Sequence, residues 1–319
     1  MINEEFNMNN ILNINAHEKE ISSLSFFPCG NIISVSWDKS IKIWDIEMNL
    51  IQKIENAHDK NINYIYVINN ESFITCSNDL SIKIWMKNTE SNEYEIYHII
   101  ENAHINNINK ILISSKGNLI SCSWDKTTKI WELIKEKINI KKGKNNVLTN
   151  NNEKKIKKYQ CIVTLTHLDF IYSILLIEDK NILLCSGFEG TNLWDLKTYE
   201  NIKYLENAEC YWNNDLDRID NDRIIIGGRD GLLKVISLNE KRVIKEINNF
   251  INCMGICVIF EKNVFLTCGW NKYIKIYNSN NYNCINSINT QHKHCIIGIN
   301  RVKDNFICSY SENIQIWKF

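Results

Sequence analysis

The chain lacks net charge: 37 Lys and Arg balance 37 Asp and Glu over 319 residues. A protein that meets nucleic acid or membrane with its whole surface carries an excess of one sign, so neither is the expected partner. Arginine is scarce, at five residues, which argues against a reader of phosphorylated motifs built on clustered Arg. Proline occurs once, at Pro28, and the heavy use of Asn, Ile and Lys fits genome base composition better than a special Asn chemistry. No apolar run approaches the roughly 18 residues of a membrane span. The opening MINEEFNMNN is acidic and Asn-rich and does not read as a signal peptide. Gly-rich phosphate loops, HExxH and CxxC are missing too, and no cofactor is expected.

What is present is a repeat. Ser34 to Asp45 reads SVSWDKSIKIWD, and Ser121 to Trp131 returns as SCSWDKTTKIW. A β-branched run, a polar turn with an Asp and an alternating run ending in Trp make a hairpin. Upstream, His17, His58 and His104 each follow Ala and stand 21 residues before Asp38, Asp79 and Asp125. Trp44, Trp85 and Trp131 follow those Asp by six. A fourth unit holds His167 and ends at Trp194. The last three are weaker: Asp230 with Ile236, Asn271 with Tyr277, Ser311 with Trp317. Counted without gaps, Glu209, Phe250 and Thr290 fill their His position. Five of the 12 cysteines (Cys76, Cys122, Cys185, Cys268, Cys308) share one repeat position, where Cys acts as a small buried apolar residue. Cytosolic free thiols are expected.

Each unit of about 40 residues divides into four short strands, in the first Ile21–Phe27, Ile32–Ser36, Ile41–Trp44 and Leu50–Ile54. A unit of this kind cannot bury its faces alone, so neighbours stack. The seventh unit stops after its third strand, and a spare run at Ile11–Asn15 precedes the first His. Pairing the two would close a ring and remove its open edge. One segment breaks the period: Lys135–Lys158, with nine Lys and two Glu, reads as a disordered loop, with the strand resuming at Cys161–Leu165.

These residues resemble the WD40-repeat family from Ile11 to Phe319. The WD dipeptide stands at Trp44-Asp45 and Trp194-Asp195, and Ala-His replaces the usual Gly-His in three repeats. The resemblance implies an all-β, seven-bladed propeller, one domain over residues 1–319. It also implies a buried hydrogen-bonded network of His17, Ser34 or Ser36, Asp38 and Trp44. Equivalents follow at His58, Asp79 and Trp85 and at His104, Asp125 and Trp131, while units five to seven lack the set. Such a network is tolerated only with every member satisfied.

His, Ser and Asp together suggest a hydrolase triad, but they recur with a structural Trp in unit after unit and no nucleophile stands apart. His292, His294 and Cys295 are metal-ligand types, yet a lone cluster at a strand start reads better as packing and surface, and no metal is expected. The stronger signal is the residue preceding each turn position: Trp37, Asn78, Trp124, Phe188, Arg229, Trp270 and Tyr310. With Trp212, these map to the connections at one end of the propeller, the face the family calls its top. Exposed Trp and Tyr are the usual energetic anchors of interfaces.

The expected function is therefore a non-catalytic scaffold that takes a protein partner, through an extended peptide or loop, on that face. It would act as a monomeric propeller within a complex, in cytoplasm or nucleus. The alternatives are a fixed subunit of a ubiquitin-ligase, trafficking, RNA-processing or chromatin assembly, and a propeller enzyme. An enzyme would need acids or metal ligands at the channel mouth. The basic loop falls on the opposite face, where an anionic lipid, RNA or acidic partner competes with a tolerated insertion as its explanation.

Overall fold

The computed structural model describes residues 8–136, 156–188, 190–205, 208, 215–249, 252–303 and 306–318. Its strands form seven four-stranded antiparallel sheets arranged as the blades of a ring. Blades 1 to 6 span residues 21–54, 62–100, 108–166, 171–205, 215–248 and 253–289. Blade 7 takes three strands from residues 298–318, and its outermost strand is Asn9–Asn15 from the other end of the chain. That strand pairs antiparallel with Asn313–Lys318, from Asn15 opposite Asn313 to Asn9 opposite Lys318. The expected closure is what the ring shows.

Within a blade the strands run a to d from the channel outward. In blade 1 they are Ile21–Phe26, Ile32–Ser36, Ile41–Trp44 and Leu50–Ile54. Strand b of blade 1 is wholly buried because a neighbouring blade covers each of its faces. Seven apolar clusters fill the seven seams. Between blades 1 and 2, Ile33, Val35, Ile41 and Ile43 meet Ile62, Ile65, Phe73 and Trp85. Phe73 stacks on Trp85 at 5.8 Å and Phe27 on Tyr94 at 5.3 Å. Each such side chain contributes roughly 1.5–3 kcal/mol by leaving water. Cys76, Cys122, Cys185, Cys268 and Cys308 are all buried in these seams, and every cysteine among the described residues is a free thiol.

Blade 3 departs from expectation at its outer edge. Its strand c runs Thr127–Glu136 and its strand d Ile156–Thr166. The two stay paired beyond Trp131, through Glu132 opposite Gln160 to Glu136 opposite Ile156. The ends of the expected loop Lys135–Lys158 are therefore strand, because the ladder hydrogen bonds continue past the last core residue. Residues 137–155 of that loop lie outside the described residues.

Candidate functional site

Three blades share one polar network with matching geometry. In blade 1, His17 Nδ1 lies 2.9 Å from Asp38 and its Nε2 lies 2.8 Å from Ser34 Oγ. Trp44 Nε1 donates to the same Ser34 oxygen at 3.1 Å. One wiring satisfies all of these atoms: Trp N–H to Ser oxygen, Ser O–H to His Nε2, His Nδ1–H to Asp. Thr75 does this for His58 and Trp85, and Ser121 for His104 and Trp131, at 2.8 and 2.9 Å. Ser34 is thus the network hydroxyl. Ser36 instead accepts from the Asp38 N–H at the turn. Burial opposes ionisation of Asp38, Asp79 and Asp125, but hydrogen bonds from the imidazole and the turn hydroxyl outweigh it and hold them well below the carboxylate range. Burial also lowers the three imidazoles. The contacts are those of a hydrolase triad, yet Ser34 and Ser121 are fully buried and occupied by a Trp N–H.

Blade 7 carries the set that the sequence reading denied it. His292 meets Ser309 at 2.8 Å and Asn313 at 2.7 Å, and Trp317 Nε1 donates to Ser309 at 2.9 Å. His–Ser and His–Asn spacings of 17 and 21 match blade 1. The turn between strands b and c is shorter, so a count back from Trp317 lands on Thr290 instead of His292. His292 is thereby committed, and His294 pairs with Glu312 at 3.2 Å. Among the described residues no group of His, Cys, Asp or Glu is arranged to hold a metal.

Blades 4 to 6 are different. Trp194 lies opposite Leu183 as Trp44 lies opposite Ile32, so Cys185 sits where Ser34 supplies the network hydroxyl in blade 1. Trp194 Nε1 and His167 Nδ1 are buried without partners among the described residues. His167 reaches across to Thr128 at 3.0 Å. In blade 6, Tyr277 takes the Trp position and donates to Asn249 at 2.6 Å. Glu209 and Phe250 lie outside the described residues. A second recurring contact went unread in the sequence: the strand-c Lys of IKIW. Lys83, Lys129 and Lys275 reach the carbonyls of Ala57, Ala103 and Asn249 at 2.8, 2.7 and 2.7 Å.

The rim gathers most of the expected contact residues. Trp37, Asn78 and Trp124 each donate a backbone N–H at 3.0 Å to the start of their own strand a, to Glu20, Asn61 and Asn107. Phe188 and Trp270 make the same contact with Phe170 and Asn252. Trp124 packs against Phe170 and Tyr172 at 6.1 and 5.9 Å. Arg229 lies over the Trp270 ring at 5.0 Å. Trp212 is outside the described residues. Tyr310 is a correction. It is a strand-b residue opposite Ile314, 6% exposed, with its ring over Gly298, where any Cβ would collide with it. It lines the channel wall below the rim. Three rim residues escaped the sequence reading: Ile105 at 86% exposed, Leu168 at 66% and Phe170 at 37%. Ile105 and Leu168 directly follow His104 and His167, a position whose outward direction only the fold reveals.

Beneath the rim the channel holds a cavity of about 620 Å³. Strand a is the inner edge of each blade, so half of its backbone groups have no ladder partner. Side chains satisfy them across the seams. Asn63, Asn109 and Asn300 donate Nδ2 to Ile108, Ile171 and Leu24 carbonyls at 2.8, 2.6 and 2.6 Å. Between blades 5 and 6 the direction reverses: Asp215 and Asp217 accept from Ile256 and Val258 N–H at 3.0 and 2.8 Å. Lys110 donates to Ser173 at 3.0 Å and lies 3.5 Å from Asp215. Burial disfavours its charge, but Tyr64 and Asp215 outweigh that and raise its pKa. The acids that the sequence reading did not find are therefore in the channel.

The WD domain, G-beta repeat family model matches residues 8–45, 49–86 and 96–132. These cover the closing strand, blades 1 and 2, and blade 3 through Trp131 of strand c, three of the four blades with a complete network. The chain is a seven-bladed β-propeller carrying WD40 repeats. Propellers of this kind are generally protein-interaction scaffolds. Among curated proteins none matches the chain.

Proposed function

We propose that this propeller is a non-catalytic interaction platform whose rim at the channel mouth receives an extended peptide or loop of a protein partner. One observation carries the reading: the concentration of exposed apolar and aromatic side chains on the blade 3–4 rim. Ile105, Leu168 and Phe170 meet at one turn, where Phe170 packs on Trp124, Ile105 donates its N–H to Asp125 and the Leu168 carbonyl accepts from Lys126, with Trp270 and Arg229 in blades 6 and 5. Isolated exposed apolar residues need no explanation, but a contiguous group marks an interaction site. On the opposite face Asn70 takes the Cys29 N–H, Arg218 grips Asp179 through both terminal guanidinium nitrogens and Arg301 pairs with Glu261, while the exposed Ile46 and Phe260 stand apart in blades 1 and 6.

The test is a quantitative pull-down from native lysate with wild type and with Trp37→Ala/Trp124→Ala/Trp270→Ala, folding being checked by melting temperature. Loss of specific partners from a folded variant is expected. An unchanged partner set would make the rim aromatics mere cover for the blade ends.

A further inference from the structure

We propose that the channel is a binding site for one donor-rich organic cation, an alkylammonium or guanidinium group, seated on Asp217 in a wall that also carries the amide oxygens of Asn63, Asn109 and Asn300. All four residues line the same cavity, which reaches from strand a up to the rim. Its volume lies within the usual range for ligand sites.

The case begins with how the seams are tied. Because Asn63, Asn109 and Asn300 each spend Nδ2 on a neighbouring carbonyl, their Oδ1 atoms accept no hydrogen bond among the described residues. The channel wall is thus enriched in unused acceptors. Asp215 already has its cation in Lys110. Asp217 has none: its oxygens accept only the backbone N–H groups of Arg218 and Val258, and no Lys or Arg among the described residues lies within ion-pair distance. Enclosure by the channel wall pushes its carboxyl up to about 6, against the pull of those two N–H groups. A carboxylate held in a cavity without a counter-charge is destabilised until a cation arrives, and a perturbed acid facing a cavity is a functional-site candidate. Lys110 shows that an ammonium is stable here, held by a hydroxyl, a carboxylate and the Tyr64 ring 5.5 Å away.

The charged and titratable groups facing Asp217 are Asp215 on its own strand, Lys110 from blade 3 and Cys257 from blade 6. Burial pushes the Cys257 thiol up to about 12, far from the window in which Asp217 changes charge. Cation binding should therefore be present above pH 6 and fade below it. Small cationic probes need no docked protein, so the site is tested apart from the rim.

The cation has two sources, a free amine or the basic side chain of a docked chain, and the probes separate them. Isothermal titration of the full chain at pH 7.5 would use butylguanidinium, putrescine and the capped tripeptide acetyl-Gly-Arg-Gly-amide. Butanol and acetyl-Gly-Gln-Gly-amide are the neutral counterparts. At least one cationic probe should bind ten times or more tighter than its counterpart, and roughly tenfold weaker at pH 5, as Asp217 takes up its proton. Asp217→Asn should abolish the preference. Binding of the free amines assigns a free cation, binding of the tripeptide alone assigns a partner's side chain, and either supports the site. Cationic and neutral probes binding alike would overturn it, as would a preference insensitive to pH. The pH arm uses wild type, so it decides even where Asp217→Asn folds poorly.

Discussion

Trp131 and Trp194 occupy the same strand-c position in adjacent blades, and one substitution should have different consequences at each. Trp131 donates its indole N–H to Ser121 at 2.9 Å. Trp194 is equally buried, but its N–H has no partner among the described residues because Cys185, whose sulfur accepts from Thr128, replaces the hydroxyl. Replacement by Phe removes similar ring area at both sites, so the packing loss cancels in the comparison. At Trp131 the change also removes a hydrogen bond with a net worth of about 1 kcal/mol. At Trp194 it removes an unsatisfied buried donor, which costs about 1–3 kcal/mol where it stands. Trp131→Phe should therefore be more destabilising than Trp194→Phe by roughly 2–4 kcal/mol. Urea midpoints measured side by side, with the m-value checked for constancy, read this difference directly. Equal losses would show that the Trp194 N–H is satisfied in solution, and the account of blade 4 as an incomplete network would fall.

Ring closure rests on one strand, so Ile14→Asp, placed against the blade 7–1 cluster, should lower the melting temperature and produce oligomers in size-exclusion chromatography. A monomeric variant of unchanged melting temperature would show that the strand is dispensable. Acid sensitivity should appear well above the carboxylate range. Burial lowers His167 and His292 from 6.5 to about 4, so the folded state resists a proton that the unfolded state accepts. The stability they contribute is whole above pH 6.5 and falls by on the order of 3 kcal/mol each on the way to pH 4. His292→Gln should flatten melting temperature against pH in that window, and an unaltered slope would refute the assignment. Lys129→Met keeps the apolar stem and removes the contact to the Ala103 carbonyl. About 1 kcal/mol should be lost, read as a urea midpoint shift, and no shift would mean that water replaces the ammonium.

The architecture was legible because it is written several times. His17, Asp38 and Trp44 could each be accidental, but their spacing repeats in three blades, and a ring needs the same hairpin in every blade. The weak repeats were misjudged for a specific reason. A shortened turn in blade 7 moves Trp317 relative to His292 without disturbing the His–Ser–Asn spacing, so a gapless count from Trp loses the His. Tyr310 was misplaced by the same shift, which put a strand-b residue on the rim. The channel chemistry was not legible at all. Asn63, Asp215 and Asp217 matter because strand a is an inner edge with unpaired backbone groups, a fact of the closed ring and not of any one repeat. In a sequence so rich in Asn, nothing marks three of them as seam ties.

The distribution of intact networks around the ring separates stability from function. Blades 7, 1, 2 and 3 form a continuous arc, each with His, a hydroxyl, Asp or Asn, and Trp fully wired. Blades 4 to 6 replace the wiring with a lone Trp194, a Tyr277–Asn249 bond and apolar packing. The same weaker arc supplies Asp215 and Asp217, the Arg229–Trp270 pair, and Leu168 and Phe170. Sequences that specify a fold consistently tend to depart from it where a site requires it. A rigid arc that positions a less constrained one suits a receptor whose rim adjusts to its ligand. Rim variants in blades 4 to 6 should accordingly alter binding with little loss of stability, while the network residues of blades 1 to 3 should do the reverse. Alanine at Phe170 and at Ser121, each assayed for binding and for melting temperature, separates the two arcs. Equal stability losses at both positions would dissolve the distinction.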